Sequence, residues 1–502
     1  MAYGEFVSSA LKDHYRAEQL LREAVSLSFS HTTWPCIALA HFLHYVRGQH
    51  AKSRYSLTHL LTHSPTHLLT HSPKDVFNQN KRKKILILMS DTGILSYFLA
   101  ICFYSLTHSL THSSLLYLGG GHRASAQAID QALHEQFGNK VEVDIMDIWT
   151  DHANYPFNRF VPTYRFLAKY PALWRGFFAY GQFGPTKLFT EIWSKMNSYG
   201  SFRDAIVSAN PDFIVSVHPL CQLMPISIMN EMNKKRDPQK PKIQFATVVT
   251  DLGGAHSTWF DRRADAIFVP SEVIKKLATR NGIKSDKLIM RGLPIRPSFW
   301  KDSSKSKDEI RSELGIQKQS KTVLLMGGGD GVGGLKEITK EIANTLNKRS
   351  QKSEVVVICG HNKKVSDQLS ATIWPENVKV HVKGFCNNID EYMSASDCLV
   401  TKAGPGTIAE AMIRGLPMVL SSFLPGQEAG NVPYVTEGGF GVYTGNNPKK
   451  IADQVYKLFQ NDVLLNEMST KARSLSRKDA TKLIAKDIGE MCLNSRQNVL
   501  SP

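Results

Sequence analysis

The chain has 502 residues, 42% of them hydrophobic, and a formal net charge of +17. That is room for about three average domains or two large ones, with the composition of a folded globular protein. The charge suits an anionic partner (nucleic acid, acidic lipid or a phosphorylated ligand) or plain solubility. The seven scattered cysteines, with no CxxC pair, exclude a disulfide framework and a zinc finger.

Residues 1–82 are predicted to be a low-complexity extension outside the fold. Tyr55–Pro73 and Ser105–Ser114 both cycle through Ser-Leu-Thr-His. A tetranucleotide repeat, (ACTC)n, yields that cycle in any reading frame, so both tracts read as translated repeat DNA. Histidine-rich metal binding is the weaker reading, because carboxylate and thiol ligands are lacking nearby. The apolar runs Cys36–Val46 and Ile94–Tyr104 are too short to span a bilayer. No transmembrane helix is expected, and the N-terminus is not a clean secretory signal.

From Lys83 short β-branched runs alternate with helical stretches, the pattern of a parallel sheet covered on both faces. The expected strands of a first half are Ile85–Met89, Val141–Asp147, Phe213–Val217, Gln244–Thr250, Ala266–Val269 and Lys287–Arg291. The first strand runs into Ser90-Asp91-Thr92-Gly93, and Gly119-Gly-Gly-His122 opens the helix Arg123–Phe137. Strand, glycine turn and helix N-terminus make an anion-binding unit. Ile94–Leu118 interrupts it, contains the second repeat tract and is read as a spurious insert. Sequencing the mature transcript across codons 93–119 settles that point. Residues 149–200 interleave aromatics, prolines and basic residues, which suits a membrane surface as well as a core.

A linker follows at Gly292-Leu-Pro-Ile-Arg296-Pro-Ser. A second alternation then gives strands Thr322–Met326, Glu354–Cys359, Val378–Val382, Asp397–Thr401, Pro417–Ser421 and Phe440–Tyr443. The boundaries are 83–300 for the first domain, 301–492 for the second and 493–502 for a tail. Helix 478–492 is expected to return across the linker. Ligands of such sheets bind at the carboxyl ends of the strands. Glycine turns recur there, at Gly327-Gly-Gly329 and at Lys402-Ala-Gly-Pro-Gly-Thr407, and converge on one phosphate-sized site. Neither has the Walker spacing, which argues against an NTPase. Gln427, Glu428 and Asn431 suit hydrogen bonds to sugar hydroxyls, or a polar turn. His122 at its helix N-terminus is a candidate base, since the dipole there disfavours imidazolium. His218 and Asp251 end strands facing the same cleft, as Asp91 does. No D-x-D pair offers a metal for a diphosphate.

Taken together, LILMSDTG (from Leu86), GGGHRASAQAI (from Gly119), SVHPL (from Ser216), VVTDLGGAHSTWF (from Val248), GLPIRPSF (from Gly292), TKAGPGTIAEAMIRGLP (from Thr401) and GQEAGNVPYV (from Gly426) resemble the monogalactosyldiacylglycerol synthase family. The resemblance runs from about Lys83 to Cys492, without Ile94–Leu118. It implies an α/β chain of GT-B fold, with two Rossmann-like doubly wound domains facing across a cleft, in glycosyltransferase family 28. It implies inverting galactose transfer from UDP-galactose to 1,2-diacylglycerol at the chloroplast envelope. UDP-galactose would be the donor, with no permanently bound cofactor and no metal.

On that resemblance His122 is the base, with Asp91 beside it. The donor would lie on Arg296, Gly327, Gly328, Gly329, Lys402, Ala403, Gly404, Pro405, Gly406, Thr407, Gln427, Glu428, Ala429, Gly430 and Asn431. Pro156 and Trp259 match positions tied to anionic lipid and membrane, with His218 and His256 on the acceptor side. Peripheral membrane association follows, with anionic lipid and no nucleic acid as partner, and with room for a homodimer. Two departures stand out: Asp330 where the family carries glutamate, and the loop Leu252–His256. Two alternatives remain: another UDP-sugar glycosyltransferase, and a membrane-binding GT-B protein inactivated by the insert.

Overall fold

A computed structural model of the chain describes residues 82–90, 120–155, 157–159, 184–301, 305–328, 331, 334–424 and 427–494. The insert, the first 81 residues, Asp91, Pro156, Gly329 and Asp330 lie outside the described residues. So do residues 160–183, the middle of the aromatic stretch.

The first sheet contains β1 (Lys83–Met89), β2 (Val141–Asp147), β3 (Phe213–Ser216), β4 (Gln244–Val248), β5 (Ala266–Val269) and β6 (Leu288–Met290). The second contains β7 (Lys321–Met326), β8 (Ser353–Ile358), β9 (Val378–Lys383), β10 (Cys398–Lys402), β11 (Met418–Ser422) and β12 (Gly441–Tyr443). Each expected strand is present with ends within two residues. The central strands are unbroken apolar runs. Ile85 to Met89 of β1 are all fully buried, as a parallel strand covered on both faces requires.

All ladders are parallel, in the orders β2-β1-β3-β4-β5-β6 and β12-β11-β10-β7-β8-β9. Each order reverses direction once, between β1 and β3 and between β7 and β10. At such a switch point neighbouring loops leave in opposite directions and open a crevice at the carboxyl ends.

The first lobe carries helices α1 (Gly120–Phe137), α2 (Ile148–His152), α3 (Gly184–Ala209), α4 (Leu223–Lys235) and α5 (Glu272–Arg280). The linker holds α6 (Pro297–Trp300). The second lobe carries α7 (Lys307–Leu314), α8 (Leu335–Lys348), α9 (Lys363–Ser370), α10 (Ile389–Ala395), α11 (Pro405–Arg414), α12 (Asn431–Glu437), α13 (Pro448–Phe459) and α14 (Asp462–Leu475). The last helix, α15 (Ala480–Asn494), returns to the first lobe. Thr481 bonds both backbone groups of Ile295, at 2.9 and 3.1 Å, and Asp487 pairs with Arg291 at 2.7 Å. Gly489 leaves room for the Phe137 ring, which a Cβ there would meet at 2.2 Å. One apolar core therefore runs from sheet to sheet through Leu293, Ile295, Phe299 and Trp300.

In the described part of the aromatic stretch Tyr155 is 49% exposed, while two other rings lie inside. Trp149 and Phe157 are fully buried, and the Trp149 ring packs edge-on against Phe202 at 4.9 Å. Of the two readings of this stretch, membrane surface and core, these two rings take the second. Their size and the strand ends beside them place them inside, and Trp149 donates to the Leu220 carbonyl at 3.2 Å. Among the described residues no helix is long and apolar enough to cross a membrane.

Candidate functional site

Helix α1 delivers His122 in its first turn to the switch point between β1 and β3. Its Nδ1 lies 2.9 Å from the carbonyl oxygen of Val217 and 3.0 Å from Oγ1 of Thr250. A carbonyl only accepts, so Nδ1 carries the proton and Nε2 keeps the lone pair. The same N–H is shared with the Thr250 hydroxyl. Strand ends β3 and β4 thus aim the ring, independently of the link between β1 and α1. His218 stacks edge-on at 4.6 Å, is fully buried, and accepts the Leu220 N–H on its own Nδ1 at 3.2 Å. The two rings are therefore opposite tautomers.

Thr250 escaped the sequence reading, because a threonine at a strand end carries no signal of its own. Replacing Thr250 by valine is expected to lower turnover about fivefold, the weight of one neutral hydrogen bond near 1 kcal/mol. The KM for donor should not move, and Thr250→Ser should recover the rate. A larger KM with unchanged turnover would refute the positioning.

Next along the same loop, Asp251 is buried and accepts from Nε1 of Trp259 at 2.6 Å. Burial pushes its carboxyl up to about 7; the indole hydrogen bond holds it down, and Glu428 across the site adds to the rise. Trp259 itself is fully buried, 6.3 Å from the His122 ring. The resemblance ties this position to lipid and membrane; in the structure the indole is buried and its N–H orients Asp251. His256 is locally engaged as well. Its Nδ1 accepts from Thr258, N–H at 3.3 Å and hydroxyl at 2.9 Å, and so caps the turn Ser257–Trp259.

The raised carboxyl sets a pH dependence. In the unfolded chain Asp251 ionises near pH 4. Between that pH and about 7 the folded state binds the extra proton, so stability falls as pH rises through this window and levels off above it. Asp251→Asn should therefore gain stability relative to the unsubstituted chain as pH rises, by a few kcal/mol at about 1.4 per pH unit. Urea midpoints at pH 5 and 8 check it; a constant difference would refute it.

On the second lobe the carboxyl ends of β7 and β10 bring the two glycine turns together. A Cβ on Gly328, which has φ +75°, would lie 3.4 Å from Cε of Lys402, and one on Gly404 would lie 3.3 Å from its Nζ. Lys402 is thus threaded between the turns and pairs with Glu428. Glu428 is buried and accepts the Leu424 N–H on its other oxygen at 2.9 Å. Helix α11 begins at Pro405, with Gly406 and Thr407 in its first turn and no side-chain cap from Gly404. Its first N–H groups are oriented for an anion. Gly327 and Ala403 are buried in the strand ends beneath it, while Gln427 is half-buried and Ala429 exposed on the following turn.

Arg296 reaches α11 from the linker side. Its guanidinium forks onto the carboxylate of Glu410 at 2.8 and 2.7 Å. Glu410 is raised by burial and held back by Arg296. Asn431 is also engaged by protein: Nδ2 donates to the Ala403 carbonyl at 2.8 Å, and Oδ1 accepts the Gly253 N–H at 2.7 Å. Gly430 and Gly253 touch through their backbones, so a Cβ on Gly253 would sit 2.1 Å from the Gly430 oxygen. The structure therefore gathers His122, His218, Thr250, Asp251 and Trp259 on one side. Lys402, Gly404, Glu428 and Asn431 stand on the other. Asp91, Pro156 and Gly329 lie outside the described residues.

The arrangement sets Nε2 of His122 on the lobe facing two glycine turns and a helix N-terminus whose first N–H groups are oriented for an anion. Residues 122–295 match the monogalactosyldiacylglycerol (MGDG) synthase family, and residues 322–484 match the glycosyltransferase family 28 C-terminal domain. The chain is 40% identical over 417 residues to a probable chloroplastic monogalactosyldiacylglycerol synthase of Nicotiana tabacum, covering 82% of this chain and 71% of that one. It is 38% identical to monogalactosyldiacylglycerol synthase 1, chloroplastic, of Arabidopsis thaliana, covering 82% and 72%. Among solved structures, Acinetobacter baumannii MurG aligns with a TM-score of 0.49 at 13% identity, covering 82% of this chain and all of that one.

Proposed function

The chain belongs to the monogalactosyldiacylglycerol synthase family, and from that premise we propose that it transfers galactose from UDP-galactose to the free hydroxyl of 1,2-diacylglycerol, inverting the anomeric carbon. The observation that carries the chemistry is the tautomer of His122. With Nδ1–H held by the Val217 carbonyl, Nε2 is the atom that takes the acceptor proton. The oxygen so freed attacks the anomeric carbon from the face opposite the leaving group. The C–O bond to UDP breaks as the new glycosidic bond forms, through an oxocarbenium-like state. Charge developing on the diphosphate meets the N-terminus of α11 and the ammonium of Lys402.

The relatives are chloroplastic by name, and the reading places this chain peripherally on the chloroplast envelope. The net charge of +17 supports attachment to anionic lipid, at about 1 kcal/mol for each basic residue near the surface. A homodimer is part of the same proposal. The rival, a lipid-binding protein interrupted at Ile94–Leu118, expects binding without turnover.

The test is transfer from a panel of UDP-sugars to diacylglycerol in anionic vesicles, with the product's anomeric configuration assigned by NMR. The expected product is the β-galactoside, made faster from UDP-galactose than from UDP-N-acetylglucosamine. The reverse donor preference would overturn the assignment.

A further inference from the structure

Where the lobes touch, a single amide joins the donor turn to the loop that aims the base. Asn431 is buried and uses both ends of its side chain. Its Nδ2 holds the carbonyl of Ala403, the residue that follows β10 into the glycine turn. Its Oδ1 holds the backbone N–H of Gly253, three residues after Thr250, which clamps His122. The orientation of the amide is forced, since an N–H needs the oxygen and a carbonyl needs the NH2. Around it the two backbones leave no room for a side chain. A Cβ on Gly253 would lie 2.1 Å from the Gly430 oxygen, and a Cβ on Gly430 would lie 2.5 Å from the Gly253 oxygen.

We propose that Asn431 is a positioning residue, an interlobe latch that couples occupancy of the donor turn to the aim of His122, rather than a ligand of sugar hydroxyls. The coupling runs from Ala403 through the Asn431 amide to Gly253, and from there along the loop to Thr250 and the base. Each link is a hydrogen bond or covalent backbone. The glycine pair sets the approach distance at which the latch engages. Any residue larger than glycine at 253 holds the lobes apart and disengages the latch without touching the donor turn. The inference rests on the proposed transfer for its kinetic readout only.

Hydrogen exchange on the full chain, with and without UDP, tests the latch apart from the reaction. UDP is expected to slow exchange in the peptide spanning 249–257, on the lobe opposite its own site. Asn431→Ala should abolish that protection while UDP still binds within about threefold of the unsubstituted affinity. Gly253→Ala should do the same. Both variants should lower galactose turnover at least tenfold with little change in donor KM, and Asn431→Asp, which keeps only the acceptor end, should fall between.

The latch is overturned if UDP leaves that peptide unchanged in the unsubstituted chain. It is also overturned if Gly253→Ala transfers at the full rate, or if Asn431→Ala loses UDP-galactose but not UDP. A chain that shows the exchange coupling but transfers no galactose would sink the proposed function and leave the latch standing.

Discussion

Replacing His122 by alanine is expected to lower galactose transfer by about 10²- to 10⁴-fold, the range that a positioned general base contributes. The ring stands at the β1/β3 switch point with its tautomer set by its hydrogen-bond partners. The Val217 carbonyl and the Thr250 hydroxyl hold Nδ1–H, and that leaves Nε2 basic. The rings packed against it, His218 and Trp259, belong to its own lobe. UDP affinity should therefore be unchanged, and turnover alone should fall. Titration calorimetry with UDP beside the transfer assay separates the cases. Loss of UDP binding would make His122 a donor ligand, and retained turnover would remove it from the chemistry. His122→Gln, closer in volume, guards against a variant that merely packs badly.

Lys402→Ala should be the most damaging change on the other lobe. It leaves the carboxylate of Glu428 buried with the Leu424 N–H as its remaining hydrogen bond, and breaking a buried pair by removing one partner costs about 3–5 kcal/mol. The lower end applies, because the lysine side chain is 26% exposed. UDP affinity should drop as well, since the ammonium sits between the glycine turns where a diphosphate would lie. The double variant Lys402→Met, Glu428→Leu removes both charges. It should recover most of the stability and none of the affinity. If stability and affinity return together, the lysine acts only as a structural partner; if Lys402→Ala unfolds at the same urea midpoint as the unsubstituted chain, the pair is not desolvated as described.

These two residues differ in how they could be found. Lys402 stands directly after a strand and inside a glycine turn, so local sequence marked it. His122 was marked by its helix N-terminus, but its tautomer was not, because the carbonyl that decides it belongs to a residue 95 positions away. Trp259 carried a membrane role only through the family resemblance, and its burial was not legible in the local sequence. Its partner Asp251 read as no more than a strand end facing the cleft.

By itself the sequence determined the elements and their order: twelve strands as β-branched runs, a helix after each glycine turn, and the stop at Gly415, whose φ of +64° closes α11. Those follow from local causes, since side-chain period, glycine's tolerance of positive φ and apolar run length act within a few residues. Only the tertiary structure decided which polar atoms the site keeps for itself. Asn431 spends its amide on Ala403 and on Gly253, 178 residues away in the chain, and Arg296 spends its guanidinium on Glu410. Burial and partner choice are sums over residues distant in the chain but near in space. No periodicity carries that information, so a polar residue that looks ready for a ligand is told apart from one already engaged only when both lobes are in place.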